Sequence, residues 1–279
     1  GQVRGGCRLV AVLAARALGS RSLPSPQGLA MPSADLNLVS KVDEHMQEVA
    51  MQLGYDTVAF ASEVQGRMSA HHASRVPGGL TSRVGQVCPK LALHGGTSHV
   101  PSAGRLSRLT LHVDSTDQLR DVNEGNRVML SYDLVAVVPH TEDAFERCCN
   151  PPVVNSIDLI SLPMETRVPY SLNPVLLRKA ARAGVHFEVR YALALRDSMT
   201  RRHLIANALQ LKRAAPETSI VISSGADVGS KLRAPLDVAH LATLFHMSVR
   251  LARQCTIAHP RAVIARAAAR HERLLGTAG

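Results

Sequence analysis

Short runs rich in Val, Ile, Leu and aromatic residues recur along the chain, at Asp35–Val39, Asp56–Ala61, Leu109–Val113, Asp133–Val138, Ile157–Leu162, His186–Tyr191 and Ser219–Ser223. Runs of this length predict strands, and the segments between several of them have the length and apolar spacing of helices. The clearest unit is the last. Between His186–Tyr191 and Ser219–Ser223, Ile205 pairs with Leu209, and Leu204 with Ala208 and Leu211, as on one helix. This predicts a crossover helix joining two parallel strands. Asp197 and Ser198 can cap its start, and Pro216 marks its end. A second helix follows Pro235, a residue suited to the first helical position, with Asp237 near the positive end of the dipole.

The same reading extends to both sides. Lys41–Leu53 is a predicted helix with Val42, His45, Met46, Val49 and Leu53 near one face, and Gly54 is its C-terminal cap. Helical segments are expected near Asp117–Met129 and Thr141–Cys149. Another begins at Asn173–Pro174, carries Arg178, Lys179 and Arg182, and closes at Gly184. After Phe245 the chain reads as helical to its end, interrupted at Pro260 and decorated by Arg250, Arg253, Arg261, Arg266, Arg270 and Arg273. The repeated strand–helix rhythm predicts a parallel barrel or a doubly wound sheet.

Two stretches break the rhythm. Residues 64–105 contain no acid, and seven glycines and three prolines fall between Gly66 and Gly104, so this stretch reads as a long mobile insertion. Its basic residues, counted through the next strand, are Arg67, Arg75, Arg83, Lys90, Arg105 and Arg108; they suit a loop that orders on RNA, or equally a solvated loop. Residues 1–33 hold four arginines and no acid, which reads as a disordered basic extension. Its composition resembles an organellar transit peptide. The alternative is that the natural start is Met31 and residues 1–30 are an upstream extension. The domain expected on either reading is 34–279.

Composition narrows the class of partner. The chain has 279 residues, 46% of them hydrophobic, enough for one α/β barrel or two average domains. A formal charge of +10 favours a polyanionic partner, either RNA or an anionic membrane surface. There is no Trp and only four Phe and four Tyr, so a base-stacking platform is not expected and nucleic-acid contacts should fall on the backbone. Charge is segregated: residues 166–213 carry ten Lys/Arg against two acids, and residues 114–165 carry three against ten. No apolar run approaches the roughly 18–20 residues that span a bilayer. Five irregularly spaced cysteines read as reduced thiols.

Arg201 and Arg202 fall in the first turns of the crossover helix, near Arg196, and Lys231 and Arg233 stand just before the next helix. Cations there oppose the helix dipole by about 0.3–1 kcal/mol each, a penalty that a bound anion reverses. In a parallel α/β fold both loops follow the C-terminal ends of strands, where ligands usually bind. Arg196, Arg201, Arg202, Lys231 and Arg233 are therefore the candidate contacts to RNA phosphate, with solvated surface arginines as the alternative.

The runs RDSMTRRH (Arg196–His203), IVISSGA (Ile220–Ala226) and LRAPLDVAHLATLF (Leu232–Phe245) resemble the signature segments of the thirty-kilodalton protein subunit of ribonuclease P, shared with ribonuclease MRP. ADLNL (Ala34–Leu38), LGYDTVAF (Leu53–Phe60), RLTLHV (Arg108–Val113) and YDLVAVVP (Tyr132–Pro139) match the family in the same order. The resemblance spans residues 34–275. It implies a parallel β/α (TIM-like) barrel, a metal-free relative of the polymerase-and-histidinol-phosphatase fold. Those enzymes carry an H-x-H metal motif where this chain reads Asp35-Leu36-Asn37. It further implies a noncatalytic subunit supporting 5′-leader removal from precursor tRNA. The protein would bind no cofactor itself, and magnesium would sit on the RNA subunit. Its implied partners are the ribonuclease P RNA, a small α/β protein subunit and the other ribonuclease P proteins, with precursor tRNA met indirectly and no membrane. The implied location is nucleus or nucleolus, or an organelle if the basic extension acts as a transit peptide. Two other classes stay open: a stand-alone metal-dependent phosphoesterase, and a structural subunit of another ribonucleoprotein. Ser223–Ser224–Gly225 lacks the G-x-S-x-G elbow, and no Walker or G-x-G-x-x-G motif occurs. The serines are expected to be backbone caps or phosphate donors.

Overall fold

Strands buried on both faces need helices over one face and a filled interior against the other, and Leu134–Pro139, reading LVAVVP with every position buried, is such a strand. The computed structural model describes residues 33–39, 43–74 and 104–276, all within the compact unit Pro32–Gly279. Expectations for residues 1–32 and 75–103 lie outside the described residues. The strands are β1 (Ser33–Leu38), β2 (Tyr55–Gln65), β3 (Gly104–Val113), β4 (Leu134–Pro139), β5 (Leu159–Ser161), β6 (His186–Arg190) and β7 (Ile220–Ser223). The helices are α1 (Glu44–Gln52), α2 (Arg127–Leu130), α3 (Glu142–Cys148), α4 (Val153–Ser156), α5 (Pro174–Arg182), α6 (Ser198–Ala214), α7 (Pro235–Leu241), α8 (Val249–Arg253) and α9 (His259–Gly276).

The seven strands lie in chain order and every neighbouring pair is parallel. The last returns to the first: Val39 N–H donates to Ala226 O at 2.8 Å, Gly225 N–H donates to Asn37 O at 2.9 Å, and Leu38 bridges Ala226. Of the two architectures the rhythm allows, the molecule is thus the nearly closed parallel barrel. Alternate strand residues pack outward beneath the helices. Their neighbours Leu36, Ala59, Leu106, Leu134, Ala136, Leu159 and Val221 fill the interior together with Val263, Ile264, Ala267 and Ala268 of α9.

Capping sets the helix ends much as the sequence asks. Asp43 caps α1, Asn173 caps α5 with Pro174 at its start, and Asp197 caps α6 by accepting from Thr200 N–H at 2.8 Å. Gly184, at φ +86°, ends α5; a Cβ there would lie 2.9 Å from an Arg266 guanidinium nitrogen, so the position requires glycine twice over.

Several expectations change. Ser33 opens β1 instead of belonging to the extension. Val64 and Gln65 are ladder residues of β2, and Gly104 and Arg105 of β3, so the β2–β3 connection is 66–103. Within it a short 3₁₀ turn, Ala70–His72, is tied down by Tyr132 OH donating to His72 O at 2.8 Å. Arg105 and Arg108 are strand residues and not part of a loop; Arg105 donates to Gln47 Oε1 at 2.6 and 2.8 Å. Where a helix was expected over Asp117–Met129, there are a 3₁₀ turn at Thr116–Leu119 and the one-turn α2, because the Asn123–Gly125 turn intervenes and Asn126 restarts the helix as its cap.

The C-terminal segment differs most. Pro260 does not interrupt it: residues Gln254–Ala258 form a π-helical turn, and Pro260 sits at the start of α9, where a missing N–H costs little. Nor are Arg266 and Arg270 surface decoration. α9 crosses the N-terminal ends of the strands, where chain carbonyls and the Asp158 carboxylate are buried and need donors. Arg270 donates to Asp158 Oδ2 at 2.8 Å and to Asp133 O at 3.2 Å. Arg266 donates to the carbonyls of Val154, Ile157 and Ala183. His271 and His259 donate to Tyr132 O at 3.0 Å and Ile220 O at 2.6 Å.

Candidate functional site

Above the apolar layer the barrel interior turns polar. Arg108 on β3 reaches across to Glu188 on β6, which is not its sheet neighbour, with Nη1–Oε1 at 2.5 Å and Nη2–Oε2 at 2.6 Å and both side chains 0% exposed. The remaining valences are met nearby: Arg108 donates to Leu36 O at 2.8 Å and Thr110 Oγ1 at 3.0 Å, and Ser223 Oγ donates to Glu188 Oε1 at 2.5 Å. Burial is the largest influence on Glu188 and pushes its carboxyl up; Arg108 and Ser223 together overrule it and hold the group at about 2. Four strands, β1, β3, β6 and β7, meet at this pair.

Two residues further along β6, at the C-terminal mouth, Arg190 is 5% exposed and faces Glu165 at 3.1 Å and Glu63 at 3.8 Å. Glu63 also lies 3.8 Å from His112 Nε2, whose Nδ1 is 3.2 Å from His140 Nε2. His112 first, and Arg190 after it, hold the Glu63 carboxyl below its usual range, and burial followed by His112 lowers His140. Gly225, at φ +62°, brings the chain after β7 so close that a Cβ would lie 3.1 Å from Arg190 Cβ.

At β1, Asp35 Oδ1 accepts from Ser224 N–H at 3.0 Å and Asn37 N–H at 3.1 Å, and burial raises its carboxyl to about 6. Asn37 Nδ2 reaches Glu188 at 3.4 Å. Asp35 Oδ2 and Asn37 Oδ1 are buried without a hydrogen-bond partner, but two neutral or single-oxygen donors beside a Glu188 already bound to a guanidinium do not make a divalent-cation site. Among the described residues no group of three or more His, Cys, Asp or Glu is placed to hold a metal. Ser223 and Ser224 are buried; Ser224 Oγ donates to Asn37 O at 2.9 Å, so both serines serve the barrel seam.

Of the five predicted rim residues, Arg196 lies on the loop that leaves β6, Arg201 and Arg202 in the first turns of α6 that follows it, and Lys231 and Arg233 on the loop that leaves β7. Arg196, Arg201 and Arg202 are exposed, and Arg201 Nε donates to Ala194 O at 2.8 Å. Lys231 pairs with Asp227 at 2.6 Å. Arg233 meets carbonyls, Ser230 O at 2.8 Å and Leu232 O at 2.6 Å, and not the carboxylates of Asp227 or Asp237. The loops are joined: Arg233 N–H donates to the Tyr191 hydroxyl at 2.9 Å, and Tyr55 OH donates to Arg233 O at 2.9 Å. Among the described residues Arg196 and Arg202 therefore present open charge, Arg201 and Arg233 spend donors on carbonyls, and Lys231 is paired with a carboxylate.

Sequence reasoning missed the interior network. Its signal was present as polar residues at alternate positions of apolar strands, Arg108, Thr110 and His112 on β3 and Glu188 and Arg190 on β6, which places each set on one face.

A family model described as RNase P subunit p30 matches residues 33–272. The Protein GAMETOPHYTE DEFECTIVE 1 of Arabidopsis thaliana is 33% identical over 224 residues, covering 78% of this chain, and the match spans 38% of that protein's length. The Ribonuclease P protein subunit p30 of Mus musculus is 28% identical over 219 residues, covering 77% of this chain and 78% of the mouse protein. Among solved structures, a chain of an archaeal ribonuclease P with mature tRNA aligns with a TM-score of 0.57 at 17% identity, covering 84% of this chain and 90% of that one, which is a likeness of fold.

Proposed function

The chain belongs to the RNase P subunit p30 family, and from that premise we propose that it is a protein subunit of ribonuclease P which binds and steadies the catalytic RNA during 5′-leader removal from precursor tRNA. The observation that carries the noncatalytic part of this reading is the Arg108–Glu188 pair with Arg190 above it. Where barrel enzymes keep open ligands and a reactive centre, this one places the Arg108 guanidinium bound on two sides to Glu188, with Arg190 above it facing the Glu165 carboxylate. The RNA part rests on the net charge of +10 and on the exposed Arg196, Arg201 and Arg202 beside Lys231 and Arg233. Magnesium belongs to the RNA in this reading. The protein partners are a small α/β subunit and the other ribonuclease P proteins, and the setting is the nucleus or nucleolus, with ribonuclease MRP as a second particle.

Reconstitution tests it. The purified chain alone should leave precursor tRNA uncut with magnesium or manganese present, while omitting it from particles assembled with the RNA and partner proteins should lower leader removal. Cleavage by the isolated chain at enzymatic rates would overturn the noncatalytic reading.

A further inference from the structure

Apart from the rim and the mouth, the outer wall carries a groove of about 760 Å³ between the start of α3, the β5–α5 loop and the last turns of α6. Its volume lies in the range of small-ligand sites, roughly 300–1,000 Å³. Arg167 and Arg213 both line it, both are exposed, and neither takes part in an ion pair among the described residues. Ser171 and Gln210 add hydroxyl and amide groups, Leu172 an apolar surface, and Glu142 one carboxylate on the wall.

The groove is preformed. Asn207 holds the loop at two points, donating to Thr166 O at 2.7 Å and accepting from Val168 N–H at 3.3 Å. Tyr170 donates to Pro139 O at 2.9 Å and stacks on Phe145 with ring centroids 5.0 Å apart. Arg167 is thus carried by a rigid segment, and little ordering cost attends binding.

We propose that this groove seats one unpaired nucleotide of the RNA partner, with its phosphate on Arg167 and Arg213; the inference rests on the RNA reading above. Two planar guanidinium groups suit the oxygens of a phosphodiester. Gln210, Ser171 and Glu142 offer donors and acceptors to base edges and ribose hydroxyls, and Leu172 packs against the base. Glu142 can accept from the exocyclic amine of a base while the phosphate stays on the two arginines. The base must be unpaired, because edges within an A-form duplex are out of reach of such a pocket.

The test uses the full chain, a fluorescein-labelled single-stranded heptaribonucleotide and an RNA duplex of equal charge. Reversing both charges, Arg167→Glu with Arg213→Glu, should weaken single-strand binding roughly tenfold and duplex binding less than about threefold. Arg167→Lys with Arg213→Lys should restore most of the charge-driven affinity but not all of the preference for the single strand. Neither arginine makes an ion pair among the described residues, so the melting temperature should fall only by the small amount that Arg213→Glu loses at the C-terminal end of α6. Unchanged single-strand affinity after charge reversal, or displacement of the strand by an acidic heptapeptide, overturns the groove. The rim variant Arg201→Ala/Arg202→Ala/Arg233→Ala is run in parallel: if it alone loses RNA, the groove is wrong and the RNA reading stands. A wild-type chain that binds neither RNA removes both.

Discussion

Arginine does opposite work inside and outside this barrel. Arg108, Arg190 and Arg270 are buried, and each is held by a carboxylate on another element. Arg196, Arg201 and Arg202 stand in solvent at the start of one helix, held at most by a backbone carbonyl. A buried guanidinium must be paired because desolvation makes the lone charge very costly, whereas an exposed one loses little by waiting for a ligand. The same residue type therefore fixes the architecture in one place and is free for a partner in the other. The difference also teaches that counting basic residues overstates the surface available to RNA.

Breaking the inner pair should have the largest effect. Glu188→Ala strands Arg108 in the interior and should cost about 3–5 kcal/mol, read as a drop in the urea midpoint, whereas Arg108→Met combined with Glu188→Leu should recover much of the loss. A single variant as stable as the wild type would mean that Arg108 escapes to water. Next comes Arg270→Ala, which leaves the Asp158 carboxylate without its closest cation and should cost roughly 2–3 kcal/mol in the same measurement.

Acid separates two buried groups of opposite sign. Burial lowers His186 from 6.5 to about 4, so the unfolded chain binds the extra proton and stability falls as pH drops from 6.5 towards 4. Asp35, raised from 3.8 to about 6, is protonated first in the folded state, so its contribution grows over the falling range from 6 to 4. The two trends oppose each other, each worth about 3 kcal/mol at most. Asp35→Asn should therefore make the loss of stability between pH 6.5 and 4 steeper, and His186→Asn should flatten or invert it; parallel pH profiles for both variants would refute the assignment.

The smallest effect on folding, and the largest on binding, belongs to the rim. Arg201→Ala/Arg202→Ala/Arg233→Ala should flatten the salt dependence of RNA binding by roughly two to three units of slope, with melting shifted little because Arg233 gives up only hydrogen bonds to two carbonyls. An unaltered slope would move the RNA surface elsewhere, Arg250 and Arg253 on α8 being the next exposed pair.

What could be read in the sequence were local signals. Asp197 and Pro235 mark helix starts, Gly54 and Gly184 mark ends, and the strand runs of β4, β6 and β7 fall within two residues of their observed limits. Long-range pairing left no such mark: nothing local ties Arg108 to Glu188, 80 residues away, or Arg270 to Asp158, 112 away. Pro260 misled for a related reason. Its usual effect as a helix breaker was absorbed by a π turn whose register depends on packing against β1 and β7. At the rim, composition located the charges, but the share already spent on Asp227 and on loop carbonyls needed coordinates.

The placement of α9 has a consequence for synthesis. Its apolar face completes the interior begun by Ala34 and Leu36, and Arg270 and His271 serve chain atoms of residues 132–158. A nascent chain that has delivered all seven strands still lacks the segment that seals their lower ends, so buried carbonyls and the Asp158 carboxylate stay wet until translation reaches residue 271. Such a chain exposes strand ends while the residues between Ser223 and His271 are made, roughly 2–10 s at about 5–20 residues per second, and a chain in that state is prone to aggregation.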